Sequence, residues 1–254
     1  MTGGKVSEET IQWRLDGDRG GAIAYLDLCR IAKRNALRLA DWLTFAMALD
    51  RIGASGAKVL IVRSQAPCVF SAGSDLKELA GLVDREEQRL PFAQAMDAVM
   101  RRLSAGPMVT IAEVGGACHG AGVAIAMACD IRVAGPDATF AIPPARFGIS
   151  YPVGDIARLT RLVGVGQAAR LLYSGEAIDA EEAARIGLVE MVEPNPSQRA
   201  HALADAIAAN SSTSLGLIRR ALDVSAPLPE TDPAQDRPFL EGFASEDFRA
   251  FVAR

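Results

Sequence analysis

Two runs of small residues constrain this chain more than any other feature: Phe70-Ser71-Ala72-Gly73-Ser74-Asp75-Leu76-Lys77 and Val114-Gly115-Gly116-Ala117-Cys118-His119-Gly120-Ala121-Gly122. Each follows an apolar segment that reads as a strand and leads into one that reads as a helix. Glycine permits the backbone to turn sharply and to approach a ligand closely, and the first N–H groups of a helix have no partner within it. Two such turns brought together aim two donors at one point, where a developing negative oxygen can be held.

The pattern around these turns repeats in kind. Ile11 to Leu15 and Ala22 to Leu28 read as strands flanking the turn Asp16-Gly17-Asp18-Arg19-Gly20-Gly21. Leu39 to Ile52 carries Trp42, Ala46 and Leu49 near one helical face. Lys58 to Val62 and Met108 to Val114 read as strands before the two glycine turns, with helix following towards Leu103 and through Ala128. Ile131 to Ala134, Thr139 to Ile142 and Leu188 to Val192 read as further strands. Strand, strand, helix in succession predicts an α/β spiral of ββα units over residues 1–195. Residues 196–254 read as helical, at Ala200 to Ala209, Leu215 to Val224 and Phe239 to Phe251. The stretch from Ala226 to Pro233 is the best linker.

At 254 residues the chain is long enough for a large core. Its formal net charge of −4 argues against nucleic acid or an acidic membrane surface as main partner. A phosphate-bearing ligand needs a local basic patch instead. No apolar run reaches the roughly 18 residues of a membrane span, and the first residues lack a signal-peptide h-region, so a cytoplasmic protein is expected. The four cysteines, Cys29, Cys68, Cys118 and Cys129, form no CxxC pair, and only His119 and His201 supply imidazole. A metal site is therefore not expected, and the thiols read as core fillers. Cys118 is the one beside a glycine turn. No GxxxxGK[ST] phosphate loop occurs.

With both turns and Cys129-Asp130-Ile131-Arg132 downstream, the chain resembles the crotonase, or enoyl-CoA hydratase/isomerase, superfamily from Ile23 to about Val192. The resemblance implies the ββα spiral directly, and an acyl-CoA thioester as substrate with no separate cofactor. It implies an oxyanion hole formed by the N–H groups of Ser74 and Ala121, with a methyl at Ala121 where the family usually has glycine. The loop Ala32-Lys33-Arg34-Asn35-Ala36-Leu37 matches the family's lining of the coenzyme A channel. Lys33, Arg34 and Lys77 are then the phosphate-facing cations. Read alone, the same basic residues are a solvated face. The expected binding residues are Lys33, Arg34, Ala36, Ala72, Gly73, Ser74, Asp75, Leu76, Lys77, Ala117, Gly120, Ala121, Pro144 and Phe147. Asp75 and Asp130 have structural roles in this reading.

The chain departs from the family where proton transfer is expected. The two hydratase glutamates map onto Ala124 and Pro144, and neither side chain moves a proton. The segment 146–155 supplies replacements: Asp155 first, Tyr151 second, with His119 from the second turn third. Asp155 reads first as the N-cap of a helix Ile156 to Leu162, Asp being a preferred cap, and Tyr151 reads equally as packing. The implied activity is hydratase or isomerase chemistry through a stabilised enolate, with non-standard acid–base residues. Decarboxylation or thioester hydrolysis on the same platform, and acyl-CoA binding without chemistry, are the alternatives. The apolar C-terminal helices, with Leu215, Leu217, Ile218, Leu222, Phe239, Leu240, Phe243, Phe248 and Phe251, predict a homotrimer or a dimer of trimers.

Overall fold

The computed structural model describes residues 10–225 and 237–253. The proposed linker from Ala226 to Pro233 lies outside the described residues. The elements run β1 (Ile11–Leu15), β2 (Ile23–Leu28), α1 (Leu39–Ala54), β3 (Val59–Ser64), β4 (Val69–Ser71), α2 (Leu76–Gly81), α3 (Glu86–Ala105), β5 (Val109–Val114), β6 (Ala117–His119) and α4 (Ala121–Ala128). They continue with β7 (Ile131–Ala134), β8 (Thr139–Ala141), α5 (Val153–Ser174), β9 (Ala177–Asp179), α6 (Ala180–Arg185), β10 (Met191–Val192), α7 (Pro196–Ala208), α8 (Ser212–Ser225), α9 (Arg237–Gly242) and α10 (Glu246–Val252).

Two sheets are wound side by side. The larger has strand order β1-β2-β3-β5-β7-β10, and the smaller β4-β6-β8-β9. Each turn of the spiral places one strand in the large sheet, one in the small sheet, then a helix: β3, β4 and α2–α3; β5, β6 and α4; β7, β8 and α5. Successive strands of both sheets pair in parallel, and the exceptions are the antiparallel pairs β1–β2 and β8–β9. Parallel sheets are covered on both faces, and the sequence obeys this: all six residues of β2 are buried. One face packs on α1, α3 and α4. The buried side of α1, with Trp42, Phe45, Ala46, Leu49 and Ile52, follows helical spacing. The helix opens where Asp41 Oδ2 accepts from the Arg38 N–H at 2.8 Å.

The other face meets α7, whose Ala200 and Ala204 sit against Ile23, Tyr25, Val59, Ile61, Ile111 and Val133. Alanine lets the helix lie close to the sheet. The boundary drawn at residue 195 thus falls between a strand and a helix of one packed body. Among the described residues, no helix is long and apolar enough to cross a membrane.

Several expected bounds shift. The second glycine run is not one turn: Ala117–His119 forms β6, a strand of the small sheet. The segment from Leu188 shrinks to the two-residue strand β10. The helix expected from Ile156 begins at Val153, with Pro152 at its N-cap. Asp155 is therefore inside the first turn and is not the cap. The aromatic residues assigned to an oligomer face are instead buried within their own chain: Phe239, Phe243 and Phe248 are no more than 5% exposed. They pack edge to face with one another, with centroids 5.3 and 5.6 Å apart.

Candidate active site

The first glycine turn is held from three sides. After β4, Ser71 Oγ accepts from Gly73 N–H at 3.1 Å and donates to the Asn35 carbonyl at 2.8 Å. Arg34 and Asn35 both adopt left-handed backbone, with φ of 52° and 53°. That costly pair of conformations is fixed by Asn35, whose buried Nδ2 donates to Ser64 Oγ at 2.7 Å and to the Phe70 carbonyl at 3.0 Å. The carbonyl of Arg34 accepts from Ala72 N–H, and Leu37 N–H donates to Gly73 O. Asp75 then caps α2, accepting from Lys77 N–H and Glu78 N–H. It also pairs with Arg30 at 2.6 Å. Burial pushes the Asp75 carboxyl up, but the Arg30 bond and the two amide bonds outweigh it and hold the group below the usual range.

The second turn locks into the first. Gly120 has φ 51°, and α4 begins at Ala121. A methyl added to Gly73, itself at φ 93°, would sit 2.8 Å from the His119 carbonyl and 3.0 Å from the Ala121 nitrogen. One added to Gly122 would sit 2.7 Å from the Ser71 carbonyl. Each turn thus owes its glycine to the other's backbone. Neither the Ser74 N–H nor the Ala121 N–H meets an acceptor among the described residues.

Ser74 and Ala121 line a mostly apolar cavity of about 180 Å³. Ala72, Leu76, Gly120, Pro144 and Phe147 of the expected binding set line it too, as do Leu79, Phe92, Met96, Ile149, Phe239 and Phe243. The latter group was not legible as a site: these are apolar residues at helical or loop positions that ordinary core packing explains equally well. His119 and Tyr151 are the titratable side chains in the lining, and no carboxylate is among the described residues that form it. Tyr151 is buried and its hydroxyl donates to the Gly120 carbonyl at 3.0 Å. Burial pushes its pKa far up, and the nearby Asp155 charge adds to this. The Tyr151 hydroxyl thus ties the loop before α5 to the second turn at Gly120. His119 Nε2 lies 3.3 Å from Thr139 Oγ1. Burial lowers its pKa, and the positive charge of Arg34 lowers it further.

The remaining expected residues lie outside that lining. Asp155 is buried, with Oδ1 2.9 Å from Arg158 Nη1, and it does not line the acyl-sized cavity. α5 starts early, at Val153, and the Asp155 carboxylate, expected as the first acid–base candidate, pairs with Arg158 instead of lining that cavity. Ala124 is fully buried in α4. Lys33, Arg34 and Lys77 are exposed, Ala36 is half-buried, and Ala117 opens β6 opposite Val69. Burial pushes the Cys118 thiol far up, and Cys129 is pushed up to about 12 by burial first, which disfavours the thiolate form of both.

The comparisons with known proteins agree with this geometry. The sequence model of the family described as enoyl-CoA hydratase/isomerase matches residues 18–249. A probable enoyl-CoA hydratase of Mycobacterium tuberculosis is 32% identical over 236 residues, covering 92% of both chains. The short-chain-enoyl-CoA hydratase of Clostridium acetobutylicum is 35% identical over 182 residues, covering 70% of this chain and 69% of its own. The solved enoyl-CoA hydratase of Bacillus anthracis is 30% identical with a TM-score of 0.79, covering 84% of this chain and 82% of its own. An enoyl-CoA hydratase/isomerase structure from Mycobacterium paratuberculosis shares the fold at a TM-score of 0.88, with 22% identity over 96% of this chain and 98% of its own. With its ββα spiral, its interlocked glycine turns and these matches, the chain belongs to the enoyl-CoA hydratase/isomerase family.

Proposed function

We propose that this chain processes acyl-CoA thioesters by holding the thioester oxygen on the N–H groups of Ser74 and Ala121, with His119 as the base. The observation that carries the reading is the pair of unpartnered N–H groups at the wall of one apolar cavity. Such preorganised donors stabilise an enolate oxygen more than the neutral carbonyl, which is what lowers a barrier. The dipole of α4 adds about 0.3–1 kcal/mol in the same direction. His119, kept neutral near pH 7 by burial and by Arg34, is in the form that accepts a proton from carbon. Exposed Lys33, Arg34 and Lys77 supply the cations that a coenzyme A nucleotide needs on a chain of net charge −4.

Water addition by two positioned carboxylates has no counterpart in the cavity, so proton abstraction at Cα is the favoured step, and hydration of crotonyl-CoA is expected to be weak. Loss of one positioned acid–base group typically costs about 10²–10⁴ in rate. The same lack of carboxylates favours a second reading, an acyl-CoA binder without turnover.

Exchange of the α-protons of butanoyl-CoA in D2O, followed by NMR, separates the two. We expect exchange that falls by about 10²–10³ in Ala121→Pro, which removes one donor at a helix position that tolerates proline. Ser74→Ala should leave it nearly unchanged, because only the backbone is used. Binding without any exchange supports the second reading. Exchange at full rate in Ala121→Pro refutes the oxyanion hole.

A further inference from the structure

A backbone N–H donor is one end of a peptide whose other end is a carbonyl. The peptide is planar and trans, so its two ends point opposite ways and share one delocalised electron system. The donors Ser74 N–H and Ala121 N–H therefore belong to the peptides that carry the Gly73 and Gly120 carbonyls. Both carbonyls are held from behind. Gly73 O accepts from Leu37 N–H at 2.8 Å. Gly120 O accepts from Val123 N–H at 2.9 Å and Ala124 N–H at 3.3 Å, in the first turn of α4. It also accepts from a side chain, the Tyr151 hydroxyl, at 3.0 Å.

That added bond acts on the Gly120–Ala121 peptide in two ways. Gly120 has φ 51° and ψ −121°, a backbone conformation that glycine reaches readily, and a change in ψ would turn the peptide and its N–H together. A donor fixed on the carbonyl side resists that turn. Hydrogen bonds in a chain also polarise one another, by about 10–30% per bond. Electron density drawn towards Gly120 O leaves the Ala121 N–H more positive and a stronger donor. Tyr151 is 6% exposed, so water competes little for its hydroxyl. Resting on the oxyanion-hole reading above, we infer that Tyr151 is a positioning residue for the thioester oxygen. Its hydroxyl works through the Gly120–Ala121 peptide, aiming and strengthening the Ala121 donor, and makes no bond of its own to the thioester carbonyl.

The test is infrared difference spectroscopy of butanoyl-CoA, labelled with carbon-13 at the thioester carbonyl and bound to the full chain. Exchange of the α-protons is measured on the same samples. Hydrogen bonding lowers a carbonyl stretching frequency. Tyr151→Phe keeps the ring and removes the donor, whereas 3-fluorotyrosine placed at position 151 keeps the ring and makes the donor more acidic. The bound carbonyl frequency should rise in Tyr151→Phe and fall with fluorotyrosine. Loss of a whole donor costs about 10²–10³ in rate, so a 10–30% share of that barrier is about 2- to 8-fold. Exchange should fall by that factor in Tyr151→Phe and rise with fluorotyrosine. Affinity for the thioether analogue, which lacks the carbonyl, should match the wild type in both. A tyrosine that merely filled space would make both replacements neutral or harmful, so the opposite signs are the signature. The spectrum decides even if the chain binds without turnover, and fluorotyrosine decides if Tyr151→Phe fails to fold. A wild-type carbonyl lowered on binding, yet unchanged in both replacements or shifted the same way by both, overturns this inference alone. A wild-type carbonyl no lower when bound than in water overturns the oxyanion-hole reading, and this inference with it.

Discussion

The contact between the two glycine turns allows a prediction with a worked magnitude. In Gly122→Ala the new methyl would begin 2.7 Å from the Ser71 carbonyl oxygen, where an ordinary carbon–oxygen contact is about 3.4 Å. The turns must part by about 0.7 Å, because the opposing atom is backbone. A bond of about 2.9 Å from the Ala121 N–H to a bound thioester oxygen then stretches to about 3.6 Å, which is no longer a hydrogen bond. One such bond contributes about 0.5–1.5 kcal/mol, or about 2- to 13-fold in affinity. The assay is the ratio of affinities for butanoyl-CoA and for its thioether analogue, which lacks the carbonyl. The wild-type preference for the thioester should reflect two donors, and Gly122→Ala should lower it by that factor. It should also reduce α-proton exchange by about 10²-fold, the scale of a misplacement near 1 Å. Gly115→Ala meets nothing within 4 Å and should match the wild type within about 0.5 kcal/mol of stability. A folded Gly122→Ala protein with undiminished thioester preference would refute the argument that these turns set the donor spacing.

Three further outcomes are expected. His119, with its pKa below the ordinary 6.5, should stay neutral below that pH, so exchange activity should persist into mildly acidic solution. Arg34→Gln removes the neighbouring positive charge and should move the acidic limb to higher pH, readable as the NMR titration of one of only two histidines. Asp75 sits below its usual value, so its stabilising contribution is present above pH 3.8 and is lost as pH falls through its folded pKa. Denaturation of Asp75→Asn should show less loss of stability over that acidic range than the wild type. Leu217, Ile218 and Leu222 of α8 are 56–65% exposed, while Arg219 beside them is buried on Asp130 and the Leu103 carbonyl. Sedimentation should give a homotrimer or a dimer of trimers, and Ile218→Asp should dissociate it.

The glycine turns were legible because backbone geometry dictates residue type there, and the helices because α1 and α3 carry long apolar stripes. Strands β6 and β9 were not, since three residues give no alternation to read, and β6 is hidden among glycines and an alanine that signal a turn. Asp155 was misplaced by one local detail. Pro152 reads as loop, yet it starts α5 three residues earlier than expected, and the carboxylate pairs with Arg158. Phe239 and Phe243 show a broader limit. Periodicity says that a helix has an apolar face, but the surface it covers, a cavity of its own chain or another copy, depends on tertiary packing.

The placement of those two phenylalanines also sets an order of events during synthesis. All ten strands among the described residues precede α9 along the chain, so both sheets can form while the cavity still lacks Phe239 and Phe243. Until α9 leaves the ribosome, Phe92, Met96 and Phe147 have no Phe239 or Phe243 to complete the cavity wall, and apolar surface exposed in this way is prone to aggregate. The pocket is walled in only after the strands of both sheets have been made, and ligand-binding competence should appear only after the sheets are already formed.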